Sequence, residues 1–182
     1  MPVNATNDKL GWLAPSFNLL DLSDNYISLD QLKGDNGTVI AFICNHCPYV
    51  IAIAERLSFE AKELKKLSIN MIAIMSNDVD QYPEDSFDNM KLFAKKYDFE
   101  FSYLYDETQE VAKSYGAVCT PDIFGFNSLL KLAYRGRIDS GVMKSKNDKI
   151  DRELFNAMIK VKDEGIGPNE QFNSFGCSIK WK

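Results

Sequence analysis

Apolar and β-branched residues run without interruption from Thr38 through Ile43 and stop at Cys44-Asn45-His46-Cys47-Pro48. A run with no polar alternation reads as a buried strand. The spacing then changes: Ile53, Leu57, Ala61, Leu64 and Leu67 follow a helical period, and Pro48 stands where a first helical turn accepts proline. A second unalternating run, Met71 to Met75 within Asn70–Ser76, predicts a parallel strand covered on both faces.

Weaker patterns fill the rest. A short strand from Phe17, a turn at Ser23-Asp24-Asn25 and a second strand at Tyr26-Ile27-Ser28 predict an N-terminal β-hairpin. Leu29–Leu32 predicts a helical turn before the loop Gly34-Asp35-Asn36-Gly37. Pro83-Glu84-Asp85 opens a helix to about Tyr97, with its acids where the helix dipole favours them. A strand at Phe101–Tyr105 and a helix from Glu107 to Tyr115, stopped by Gly116, follow. Ile123–Asn127 and Lys131–Arg135 predict a β-hairpin, and Asp151–Lys162 a last amphipathic helix. Residues 164–182 form a C-terminal tail with little periodicity. This order predicts a single α/β domain over residues 1–182, with a central mixed sheet flanked by helices.

The chain has 182 residues, 45% of them apolar, enough for one good core. Its net charge of −5 is interspersed, without the basic stripe expected for nucleic acid or an anionic membrane surface. Met1 to Leu22 has no apolar stretch of signal-peptide length, and no later segment approaches a membrane span. A cytoplasmic protein is expected. In a reducing cytosol a Cys-x-x-Cys is read as catalytic or metal-binding rather than as a structural staple.

Strand, Cys-x-x-Cys and helix together form a redox arrangement. Cys44 is expected to be the exposed, helix-capping nucleophile, its thiolate favoured by the helix N-terminus. Cys47, expected one turn inside the helix, is the resolving thiol. His46 beside the Cys44 thiolate would lower its pKa and make the disulfide more oxidising than that of thioredoxin. The alternative, half of a zinc site, has few other ligands to draw on, and neither a metal nor a cofactor is expected.

Several phrases resemble a known family. Cys44-Asn45-His46-Cys47-Pro48 after an apolar strand resembles the thioredoxin-fold active site, and Thr120-Pro121 resembles its cis-proline loop. Gly11-Trp12-Leu13-Ala14-Pro15-Ser16-Phe17 is similar to the opening of peroxiredoxin-like and membrane-anchored thiol–disulfide oxidoreductases. Tyr103-Leu104-Tyr105-Asp106-Glu107-Thr108-Gln109 and Gly176-Cys177-Ser178-Ile179-Lys180-Trp181 resemble the Cys-x-x-Cys subgroup of the redoxin (alkyl hydroperoxide reductase/thiol-specific antioxidant) family. The resemblance implies a thioredoxin-like fold with an extra inserted α/β unit. It also implies a cis Thr120-Pro121 bond facing the thiols, where the Thr120 backbone pairs with an extended stretch of substrate.

Two departures from the family stand out. The buried acid that accepts a proton in thioredoxin is missing from the strand before Cys44, so the proton acceptor for Cys47 is unassigned, and Glu55 reads as a solvated residue. In the peroxiredoxin motif Pro-x-x-x-Thr-x-x-Cys, aligned on Cys47, Cys44 replaces the threonine and Ile40 the proline. Arg135 or Arg137 would have to polarise a peroxide, but both read as surface residues. Strong peroxidase activity is not expected.

Among the remaining candidates, Asp122 reads as a loop acid, with an acid or base near the thiols as the alternative. Cys119 is a candidate additional redox thiol, with a buried apolar role as the alternative. Cys177 is read as a free thiol, with pairing to Cys119 as the alternative, and Phe172, Phe175 and Trp181 as packing anchors. The leading function is a thiol–disulfide oxidoreductase acting through Cys44 and Cys47, supported by Asn45, His46, Pro48, Thr120 and Pro121. Its partners would be protein disulfides and a thiol reductant such as a thioredoxin or glutathione system. The alternatives are a hydroperoxide reductase using the same cysteines and a non-catalytic module that binds a metal or a partner.

Overall fold

The computed structural model describes residues 2–5, 10–143 and 149–182. Its centre is β4 (Gly37–Phe42), a strand buried along its whole length. On one side β4 pairs in parallel with β5 (Ile69–Met75), which pairs in parallel with β6 (Ser102–Tyr105). On the other side it pairs antiparallel with β8 (Asp122–Phe126), followed by β9 (Leu132–Gly136). The expected N-terminal hairpin is β2 (Asn18–Asp21) and β3 (Tyr26–Ser28), joined through β2 to β6. The seven-stranded mixed sheet has the order β3-β2-β6-β5-β4-β8-β9.

Side chains of β4 alternate between two apolar layers, because successive residues of a strand face opposite ways. Val39, Ala41 and Ile43 pack under α2 (Pro48–Lys65), α3 (Phe87–Lys96) and α5 (Glu153–Glu164). Ile40 and Phe42 pack with Leu29 of α1 (Leu29–Leu32) and with Ala112 and Tyr115 of α4 (Glu110–Tyr115). Both faces are covered, which is why the β4 and β5 runs lack polar alternation. At the edge of the second layer Phe17 is buried, and the Gly11 amide donates to Leu132 O at 2.8 Å.

Besides α5, which starts at Glu153 rather than Asp151, two helices begin later than their patterns predict. The helix expected from Pro83 is interrupted: Pro83–Asp85 is one 3₁₀ turn, Ser86 is extended, and α3 starts at Phe87. The break turns the Asp85 carboxylate toward the cysteine segment, whose amides it binds. The helix expected from Glu107 starts at Glu110, because the Asp106 carboxylate accepts from the Ala112 amide at 2.9 Å and fixes its first turn. Gly116 ends α4 at φ 64°, the left-handed geometry glycine supplies.

The tail is not without structure. Phe175–Ser178 forms β10, which pairs antiparallel with both β1 (Pro2–Asn4) and β7 (Cys119–Thr120) in a second, three-stranded sheet. Its apolar pattern gives no strand signal because backbone pairing, rather than side-chain burial, holds it. Beyond it the Lys180 carbonyl accepts from Asp78 N at 2.8 Å and Gln109 Nε2 at 2.7 Å, fixing the chain end beside β5 and α4.

Candidate active site

The cysteine segment leaves the C-terminal end of β4 and enters α2. Cys47, not Cys44, is the N-cap of α2, with Pro48 at the first helical position. The expectation of Cys44 as an exposed capping thiol and Cys47 as a residue inside the helix is therefore corrected. Proline at 48 sets the helix start there, and Cys44 lies before it, buried like Cys47. The Thr120-Pro121 bond is cis, as the resemblance implies. Thr120 spans the pair: its Oγ1 lies 3.2 Å from Cys44 Sγ, and its carbonyl oxygen 3.1 Å from Cys47 Sγ.

The two thiols differ in their electrostatic surroundings. The Cys47 thiol, which donates to the Thr120 carbonyl, is acted on by Cys44, by Cys177 and by the backbone of Val50 and Cys177. Led by the Cys44 hydrogen bond, they bring its pKa from an ordinary 9.0 down to about 5 against the cost of burial. Cys44 is pushed well up, first by that same hydrogen bond with Cys47, then by burial and by the negative charge of Asp85. The two shifts run in opposite directions, down for Cys47 at the positive end of a long helix and up for Cys44.

Asp85 is the residue that sequence reasoning missed. It is fully buried, and its carboxylate accepts from the Asn45 amide at 2.7 Å, the His46 amide at 3.3 Å and Asn77 Nδ2 at 2.7 Å. His46 Nδ1 hydrogen-bonds the same group at 2.7 Å, and the imidazole stacks on Tyr82 with centroids 5.5 Å apart. Asn45 is held further by Tyr103, whose hydroxyl donates to Asn45 Oδ1 at 3.0 Å. A ring nitrogen of His46, a carboxylate oxygen of Asp85 and Cys44 Sγ lie within 4.8 Å of one another. An acid and an imidazole thus stand beside the thiol of higher pKa. Asp85 lies far from the cysteines in sequence, in what reads as the first turn of a helix, so no sequence signal points to it.

Other expected residues are placed differently. Asp122 is not a loop acid: it is the buried first residue of β8, ion-paired to Arg135 at 2.9 Å. Burial raises its carboxyl above the ordinary range, and Arg135 pulls it part of the way back. Arg135 is buried rather than on the surface, its guanidinium 4.5 Å from the Phe124 ring centroid. Arg137 is half-buried and bidentate to Glu153 at 2.6 and 2.7 Å. Glu55 is exposed, as read. Cys119 is buried with its thiol directed at the Pro121 carbonyl at 3.5 Å, and burial pushes its pKa up.

The tail also alters the picture of the cis-proline loop. Thr120 is paired with Cys177 of β10, so the backbone expected to receive a substrate strand is occupied by the chain's own C-terminal segment. Gly176 permits this approach, since a Cβ there would fall 2.0 Å from the Thr120 carbonyl oxygen. The aromatic residues of the tail are partly exposed: Phe175 meets Tyr49 edge-on at 5.1 Å, Phe172 lies under Arg137 and Trp181 under Lys113. Phe175, Tyr49, Ile53 and Pro121 line a cleft of about 270 Å³ on this side of the site.

Residues 10–138 match the sequence pattern of the AhpC/TSA family. The chain belongs to the AhpC/TSA family. Among solved structures it is similar to an uncharacterized conserved protein from Geobacillus kaustophilus, at 41% identity and a TM-score of 0.93, over 100% of this chain and 97% of that one. A hypothetical protein from Sinorhizobium meliloti is similar at 34% identity and a TM-score of 0.92, over 98% of each chain. The thioredoxin domain of a thiol-disulfide oxidoreductase from Bacteroides vulgatus shares the fold at 17% identity and a TM-score of 0.65, over 85% of this chain and 98% of that one. A curated relative, a chloroplastic peroxiredoxin Q from Populus jackii, is 31% identical over 63% of this chain, which spans about half (49%) of the relative's length. This member of the AhpC/TSA family has a thioredoxin-like fold, with a central mixed sheet flanked by helices. Among its described residues no helix is long and apolar enough to cross a membrane.

Proposed function

We propose that this AhpC/TSA-family protein is a thiol–disulfide oxidoreductase that reduces or exchanges protein disulfides through Cys44 and Cys47. The observation that carries the reading is the geometry of the pair: Thr120, before the cis Pro121, spans the two thiols, with Cys47 at the start of α2 and Cys44 beside Asp85 and His46. Electrostatics favour Cys47 as the attacking thiol, the reverse of the order expected from the sequence.

In the proposed cycle the Cys47 thiolate attacks one sulfur of a substrate disulfide. The other substrate sulfur leaves with the bonding electron pair, and a mixed disulfide on Cys47 remains. Cys44 then gives up its proton to the adjacent Asp85–His46 pair and attacks Cys47 Sγ. The Cys44–Cys47 disulfide forms, and the second substrate sulfur departs as a thiol after taking a proton. An external thiol reductant, of the thioredoxin or glutathione kind, restores the dithiol in a reducing compartment such as the cytoplasm.

A second reading, reduction of hydroperoxides by the same pair, is favoured by one feature. Cys47 stands at the N-terminus of α2 with its pKa lowered, as a peroxide-reacting thiol requires. Against it, Cys44 stands where the peroxiredoxin motif has threonine, and both Arg135 and Arg137 are ion-paired to carboxylates. Reduced protein mixed with insulin in one arm and hydrogen peroxide in the other, with loss of thiol at Cys44 and Cys47 followed by alkylation and mass spectrometry, separates the two. Fast oxidation by insulin and slow oxidation by peroxide is the expected result. The opposite order would make the protein a peroxidase, and inertness in both arms would leave the pair as metal ligands.

A further inference from the structure

Of the four cysteines, Cys44, Cys47 and Cys119 are buried, and Cys177 is half-buried. The register of β10 places Cys177 directly across from Thr120, the residue whose hydroxyl and carbonyl lie against Cys44 and Cys47. The thiol and the amide of Cys177 are near enough to Cys47 to help lower its pKa. Cys177 also packs on the apolar cluster that contains Cys44 and Cys47, while its neighbour Phe175 is fixed edge-on against Tyr49 at the start of α2. Cys47 is therefore flanked by two thiols rather than one: Cys44 from its own segment and Cys177 from the C-terminal strand.

We propose that Cys177 is a second resolving thiol, so that a mixed disulfide on Cys47 closes internally either to Cys44 or to Cys177. The inference rests on the reading of Cys47 as the attacking thiol. In the second route Cys177 Sγ attacks Cys47 Sγ of the mixed disulfide and the Cys47–Cys177 bond forms. The bond to the substrate sulfur breaks, and that sulfur leaves with the electron pair and takes up the proton Cys177 releases. No reactant beyond the substrate disulfide is needed. In the resting protein burial and the Cys47 thiol keep Cys177 protonated, at a pKa pushed up to about 11. Once Cys47 is in a disulfide its negative charge is gone, and so is that part of the hold on the Cys177 proton. The two routes leave different molecules: a Cys47–Cys177 bond fastens β10 to the start of α2, whereas a Cys44–Cys47 bond leaves β10 held by backbone pairing.

The test uses the full-length reduced Cys44→Ser protein and dithiobis(nitrobenzoate) as the probe disulfide. The expected result is release of two thionitrobenzoate ions per chain, the second following the first, and a Cys47–Cys177 crosslinked peptide in a non-reducing digest. Release of one ion with a stable nitrobenzoate adduct on Cys47 would overturn the inference. So would separate adducts on Cys47 and Cys177, or no release at all. Cys47→Ser protein treated in parallel reports on the underlying reading: loss of the fast first release upholds Cys47 as the attacking thiol whatever Cys44→Ser does, and undiminished release would remove it. Should Cys44→Ser fail to fold, the wild type equilibrated in a glutathione redox buffer and acid-quenched gives a second readout. Both crosslinks are expected there, and Cys44–Cys47 alone would overturn the proposal.

Discussion

Asp85, itself fully buried, gathers hydrogen bonds from Asn45, His46 and Asn77, and its charge helps hold the Cys44 proton in place. Asp85→Asn keeps the size of the side chain but removes the charge and one acceptor oxygen. Leaving a buried donor unmatched costs about 1–3 kcal/mol, so unfolding should shift by that amount. If the pair receives the Cys44 proton, closure of the Cys44–Cys47 disulfide should also slow by about 10²-fold, the usual worth of a placed acid or base. Its pH profile should move as well. Single-turnover rates measured from a preformed mixed disulfide on Cys47 check this, and a wild-type rate with an unchanged profile would restrict Asp85 to holding the loop. Nothing in the sequence marks Asp85, because its role arises from a tertiary approach between Pro83-Glu84-Asp85 and the cysteine loop. Cys44 and Cys47, by contrast, carry their chemistry in their own spacing.

At the level of elements, those with local signals are where the sequence puts them. The hairpin β2–β3, the turn α1, the strands β4 and β5 and the helix after Pro48 all follow from burial period, turn and proline rules. The helix start at Phe87 and the strand β10 were not legible, because each depends on a partner distant in the chain. For β10 that partner is Thr120, approached so closely that Gly176 has no room for a methyl group. Gly176→Ala should therefore push β10 off β7 and lower stability by about 1–3 kcal/mol, as overpacking does. Alkylation of Cys47 should become faster in step, since β10 covers it. Denaturant unfolding and timed iodoacetamide labelling measure both effects. Unchanged labelling of Cys47 would mean that the strand does not shield the thiol.

For the molecule as a whole, the mixed sheet could be read from the alternation of strand and helix patterns, and the thioredoxin-like fold from the resemblance carried by Cys44-Asn45-His46-Cys47-Pro48 and Thr120-Pro121. The proposed order of the two thiols could not, because it depends on where α2 begins and on the approach of β10 to Cys47. That order makes stability depend on pH. Cys47 has its folded pKa lowered to about 5 from 9.0, so the folded reduced protein gains stability as pH rises through that interval and loses it again as pH falls toward 5. Cys44, raised when folded, acts in the opposite sense, its contribution being present below 9.0 and lost above it. The most direct measurement is a titration of ultraviolet thiolate absorbance in the reduced wild type, Cys44→Ser and Cys47→Ser proteins. The expected result is a transition near pH 5 in the wild type, shifted upward but present in Cys44→Ser and absent in Cys47→Ser. A low-pH transition that survives in Cys47→Ser and vanishes in Cys44→Ser would contradict Cys47 as the anionic, attacking thiol.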